Sequence, residues 1–146
     1  MDFSGLKIIC VGNRYIEPDG AALWLYDTAI KQTWPTHINW IEGGLGGLNL
    51  LPHFDTKENI LMLDFMPKQF NGSLFSLAQT LKNNSDSYGQ AYDHSNAHYY
   101  LLHSLPHLYS ILPSIHCMAC IPTKPNWQQQ LFTRVMQHAN CYEKVA

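Results

Sequence analysis

Charged side chains are scarce in this chain. Asp, Glu, Lys and Arg make up 14% of its 146 residues, against about 25% in a typical soluble domain. Neither sign dominates, since 9 basic and 11 acidic residues leave a net charge of -2. A nucleic-acid binder carries a basic excess or a Lys/Arg cluster to neutralise phosphates. Neither is present, so nucleic acid is set aside as a partner. Long hydrophobic runs are missing too, and nothing approaches the ~18–20 residues of a membrane span. The opening Met-Asp-Phe-Ser-Gly-Leu-Lys has no basic stretch ahead of a long apolar one, so it does not read as a signal peptide. A cytoplasmic protein with no membrane partner is expected.

Cysteine is sparse, at 10, 117, 120 and 141, and a chain of this size without a secretory signal does not need disulfides. Cys117-x-x-Cys120, with His116 beside it, invites a zinc or redox reading. A zinc ribbon needs a second such pair, however, and Cys10 and Cys141 stand alone. The redox motif opens a helix, whereas Ser114 to Ile121 reads as a strand. The two thiols are therefore read as buried packing groups.

What the chain does have is hydrophobic substance, 46% of its residues. That suits one domain over 1–146 with a single sizeable core. Leu6 to Val11 is a β-branched apolar run ending at Gly12-Asn13, a buried parallel strand and then a turn. Pro18 suits a helix start, and the Glu17 and Asp19 carboxylates suit its positive end. Ala21 to Lys31 follows as helix, stopped by Trp34-Pro35. His37 to Glu42 is a second strand, Gly43 to Gly47 a turn, and Leu48 to His53 one or two helical turns. Glu58 to Asp64 is a third, buried strand. Asn71-Gly72 marks a turn before a short edge strand, Ser73 to Leu77. Residues 82–92 are polar and turn-rich and read as a mobile loop. His94 to Leu105 is helical and Ile115 to Ile121 is the last strand. Asn126 is placed to cap a closing helix in which Trp127, Leu131, Val135 and Ala139 repeat every fourth residue. Alternating strands and helices predict an α/β fold, a three-layer sandwich with about five strands in a mostly parallel twisted sheet flanked by helices.

In such sheets ligands bind beyond the C-terminal strand ends. Asp19, with Glu17 nearby, lies in the loop after the first strand, Asp64 ends the third, and His94 starts a helix. Two carboxylates and an imidazole suit a divalent metal with positions left open. Each residue also has a plainer reading: Asp19 as a helix N-terminal charge, Asp64 as a solvated strand end, His94 as a cap or surface residue. The first loop lacks the further glycines of a dinucleotide fingerprint and has no Gly-x-x-x-x-Gly-Lys-Ser/Thr. No Gly-x-Ser-x-Gly elbow exists, and Cys10, inside an apolar strand, has no activating cation.

Taken in order, these segments resemble one family, the [NiFe]-hydrogenase maturation endopeptidases. The carriers are Ile8-Ile-Cys-Val-Gly-Asn13, Asp19 followed by Gly20 and a helix, and Glu42-Gly-Gly-Leu-Gly-Gly-Leu-Asn-Leu-Leu51. The strand ending Leu63-Asp64, a His-bearing segment before a helix, and the strand ending Ile121-Pro122 complete the series over roughly residues 6–122. The family pattern has two acids before the first-loop glycine, where Pro18-Asp19 leaves one. It has Asp where Glu42 stands, Thr where Leu45 stands, and Ala where Phe65 stands.

The resemblance implies a single hydrogenase-maturation-protease-like domain. It implies a nickel-dependent peptidase of the aspartyl-carboxylate type, a hydrolase that removes the C-terminal extension of the hydrogenase large-subunit precursor after nickel insertion. Asp19, Asp64 and His94 would form the metal-recognition and catalytic site, with His98 the second choice for the imidazole. The nickel would come with the client, no organic cofactor would be needed, and a monomer would let the client reach the strand ends. The departures support an alternative, a non-catalytic relative that binds the precursor as an assembly factor. A small nucleotide- or sugar-binding module is a third reading, disfavoured by the missing glycine fingerprint.

Overall fold

The computed structural model describes the backbone of residues 3–86 and 94–142, and the side chains of 3–82 and 100–142. Strands β1 (Leu6–Val11), β2 (Ile38–Gly44), β3 (Asn59–Asp64), β4 (Leu74–Ser76) and β5 (Ile115–Ala119) form one sheet in the order β2-β1-β3-β5-β4. All pairings are parallel except β4 with β5, which is antiparallel. The helices are α1 (Ala21–Ala29), α2 (Leu51–Phe54), α3 (Leu77–Asp86), α4 (His94–Leu108) and α5 (Trp127–Ala139).

Every residue of β1 and β3 is buried, because both faces of a parallel sheet are covered. The period of two divides these strands between two cores. Leu6, Ile8, Cys10, Leu61 and Leu63 meet Ala22, Leu25 and Ala29 of α1 and Leu131, Phe132 and Val135 of α5. Ile9, Val11, Ile60 and Met62 meet Leu50, Phe54 of α2, and Leu101, Leu102 and Leu105 of α4. The expected three-layer sandwich follows. Lys7, the polar residue of β1, is buried, and its ammonium donates to His53 O at 3.1 Å.

The structure differs from the sequence expectations in particular places. Residues 77–86 are helix α3, where 82–92 read as a loop, and 87–93 lie outside the described residues. Leu77 and Leu81 pack on the second core, and that burial outweighs the weak helix propensity of Asn and Ser. Asn126 makes no side-chain capping bond to α5. Helix α1 stops at Ala29, two residues short of the expected Lys31, and Ile30 past its end is 56% exposed.

Candidate active site

From β1 the chain crosses to β2 on one side, and the next sheet strand, β3, lies on the other side of β1. That reversal opens a crevice beyond the C-terminal ends of β1 and β3. Cys10 pairs with Leu63, so Val11 and Asp64 close their strands at the same level. Asp64 is 8% exposed. Asp19 reaches the same end by a backbone device. The Asn13 N–H donates to Asp19 Oδ2 at 2.6 Å, which folds the loop back over the end of β1.

That fold-back requires glycine. A Cβ on Gly12 would lie 2.2 Å from Asp19 O, and its φ of +154° is unusual for other residues. A second close approach occurs at Gly43, where a Cβ would stand 2.7 Å from Val11 Cγ1 and 2.9 Å from Cys10 O. Gly46 and Gly47 have φ of 77° and 75° and lead straight into the 3-10 turn Gly47–Leu50. The glycine segment is thus a tight strand-to-helix turn.

His94 is the first residue of α4. Helix α4 precedes β5, and β5 runs parallel to β3, so α4 starts at the C-terminal end of the parallel strands. The topology therefore brings the backbones of Asp19, Asp64 and His94 to one end of the sheet. The side chains of His94 and His98 lie outside the described residues. Among the described residues no group of three His, Cys, Asp or Glu could hold a metal ion. His103 and His107 are exposed farther along α4, with rings 6.1 Å apart, in keeping with surface histidines.

The cysteines are packing groups. Cys117 belongs to one core and Cys120 to the other, because a separation of three on a near-extended chain points side chains to opposite faces. They cannot share a metal or a disulfide. Burial pushes the Cys117 thiol up to about 12, despite a hydrogen bond from Thr80, with the Asp64 charge adding to the rise. Burial likewise raises Cys10 and Cys120 well above the usual thiol range. None of the three is a thiolate near neutrality.

Arg14 stands outside the sequence patterns that mark the site. Its Nη1 donates to Asp27 Oδ2 of α1, and its Nη2 to Glu42 Oε1 of β2 at 2.7 Å. Both bonds raise the guanidinium pKa, Asp27 first. Arg14 thereby ties the Asp19 loop to two neighbouring elements. Glu42, a departure from the family pattern, is the acceptor here. A lone cation among Glu17, Asp19 and Glu42 was the available signal. The rim carries exposed apolar residues, with Tyr15 93%, Leu45 60% and Leu48 60% exposed.

This α/β sandwich is the fold of hydrogenase maturation endopeptidases, which the chain resembles over 94% or more of its length. The hydrogenase maturating endopeptidase HybD from E. coli is 14% identical with a TM-score of 0.66, covering 94% of this chain and 91% of that one. The [NiFe] hydrogenase maturation protease HybD from Thermococcus kodakarensis is 17% identical with a TM-score of 0.61, covering 95% and 99%. A hydrogenase 3 maturation protease is 15% identical with a TM-score of 0.64, covering 97% and 92%. No protein-family model matches the sequence, and no curated protein matches it.

Proposed function

We propose that this chain is a maturation endopeptidase that removes the C-terminal extension of a [NiFe]-hydrogenase large-subunit precursor once nickel is in place. The observation that supports this best is Asp19 and Asp64 at the ends of adjacent central strands, in the fold of the maturation endopeptidases. Nickel is part of the substrate, held by the client. Hard carboxylates and a neutral imidazole suit nickel(II), so Asp19, Asp64 and His94 are the groups that would meet it. Contact with the metal fixes the scissile peptide against the strand ends. The metal would also polarise the peptide carbonyl or a water. Water then adds to the carbonyl carbon, the C–N bond breaks, and the leaving amine takes a proton. The protein would work in the cytoplasm, as a monomer whose strand ends stay open to the client.

A second reading is an assembly factor that binds the metallated precursor without cutting it. Leu45, 60% exposed where the family pattern has Thr, favours it by adding apolar surface to the rim. One experiment separates the two. Nickel-loaded precursor is incubated with the chain and its mass is followed. A shortened large subunit, not formed from metal-free precursor, is the expected result. A stable complex with an intact precursor supports the assembly factor instead.

A further inference from the structure

A groove of about 590 Å³ opens on the α5 side of the β3 and β5 ends, within the size range of ligand-binding clefts. Asp64 pairs with Ala119, and Cys120 N donates to Asp64 O at 2.8 Å. The next residue, Ile121, is in the groove wall. The groove therefore begins two residues beyond Ala119, the partner of Asp64 and the last residue of β5.

Its wall is fixed by its own hydrogen bonds. Asn71 Nδ2 donates to Trp127 O at 3.0 Å and to Gln130 Oε1 at 3.1 Å, while Asn71 Oδ1 accepts from Ile121 N at 2.9 Å. Arg134 Nε donates to Gly72 O at 3.2 Å, and its Nη1 to Gln137 Oε1 at 3.1 Å. A preformed wall loses little freedom when it is occupied.

The charge of the groove runs against that of the chain. The protein has a net charge of -2, yet among the described residues the groove lining carries Lys124 and Arg134 and no carboxylate. Gln69, Gln129 and Thr133 add side-chain donors and acceptors suited to a peptide main chain. Phe70, 84% exposed on the rim, offers an apolar face.

We propose that this groove binds an extended, acidic peptide segment, and that the segment is part of the precursor's C-terminal extension. The identity of the occupant rests on the endopeptidase reading. The end of the groove at Ile121 is the one nearest the β3 terminus, where the bond to be cut would lie, and Lys124 and Arg134 would hold carboxylates farther along the extension. Specificity for the client would then come from charge pattern as well as from the metal.

The test uses the whole chain and a fluorescein-labelled Glu-rich peptide, with the same peptide carrying Gln at every Glu as its control. The Glu peptide should bind more tightly, and high salt should weaken it. Lys124→Glu should weaken it roughly tenfold and Arg134→Gln roughly fivefold. Equal binding of the two peptides, or affinity indifferent to both substitutions, overturns the proposal. Because Arg134 also braces Gly72, Lys124→Glu on the exposed loop is the variant free of folding effects. With precursor as substrate, Lys124→Glu should raise KM more than it lowers kcat. Unchanged KM, with cleavage intact, removes the groove and leaves the endopeptidase standing. Charge-dependent peptide binding without any precursor cleavage by the wild type does the reverse: the endopeptidase reading falls and the acidic-peptide groove remains.

Discussion

The backbone N–H of Asn13 and the carboxylate of Asp19 are joined by a 2.6 Å hydrogen bond across the end of β1. A charge-assisted bond of this kind holds the acid more firmly than a surface position would. It turns a residue eight positions past the end of the strand into a group at the strand terminus.

Removing either carboxylate should abolish peptidase activity. Asp19→Ala and Asp64→Ala are expected to slow precursor cleavage at least roughly a hundredfold. Asp64→Asn keeps the volume of a buried side chain and should be as inactive while remaining folded. Single-turnover cleavage of nickel-loaded precursor is the measurement, with circular dichroism reporting folding. Full activity in Asp64→Asn would defeat the site assignment.

Gly12→Ala should disturb the loop directly, since the added methyl would sit 2.2 Å from Asp19 O. The expected loss is about 2 kcal/mol or more, seen as a lower midpoint in urea. A midpoint equal to wild type would mean that the loop is not packed as described.

Arg14 should matter through geometry more than stability. Its bonds to Asp27 and Glu42 are half-exposed, so a double-mutant cycle of Arg14→Ala with Glu42→Gln should give a coupling of about 0.5 kcal/mol that fades at high salt. Cleavage should fall further than stability does. A loss of activity that only tracks the unfolded fraction would argue against a positioning role.

Acid should destabilise the fold through a histidine pair far from the site. Burial, then the His116 and Arg134 charges, lowers the His138 pKa to about 4, and burial lowers that of His116 as well. The His138 ring stacks edge-on to His116 at 4.9 Å and to Tyr142 at 5.2 Å. Both folded pKa values lie below the unfolded value near 6.5, so the unfolded chain binds more protons in between. Stability should therefore fall as pH drops from about 6.5 towards 4, by on the order of 2 kcal/mol for His138. Urea midpoints across that range should flatten in His138→Phe. A wild-type midpoint that stays level would contradict the burial.

Thiol labelling gives a check on packing. Cys141 is exposed and Cys10, Cys117 and Cys120 are buried. Iodoacetamide should modify Cys141 in the folded protein and all four cysteines in denaturant, read by intact mass. Rapid modification of Cys117 or Cys120 would mean that the β5 end is open.

Much of this protein was determined by local sequence. The β-branched runs at 6–11 and 58–64, the glycine segment at 43–47 and the four-residue spacing from Trp127 to Ala139 each decide a local conformation by sterics and burial. Their order then leaves few ways to build a sheet. Strand alternation even separates Cys117 from Cys120. Other features were decided only in three dimensions. Helix α3 is polar in composition and exists because Leu77 and Leu81 find a core. Arg14 looks like a loop residue until Asp27 and Glu42 arrive from elements 13 and 28 positions away. The groove gathers Phe70, Lys124 and Arg134 from three segments that share no motif. Such groups are brought together by chain crossings, and their proximity depends on distances that no local pattern encodes.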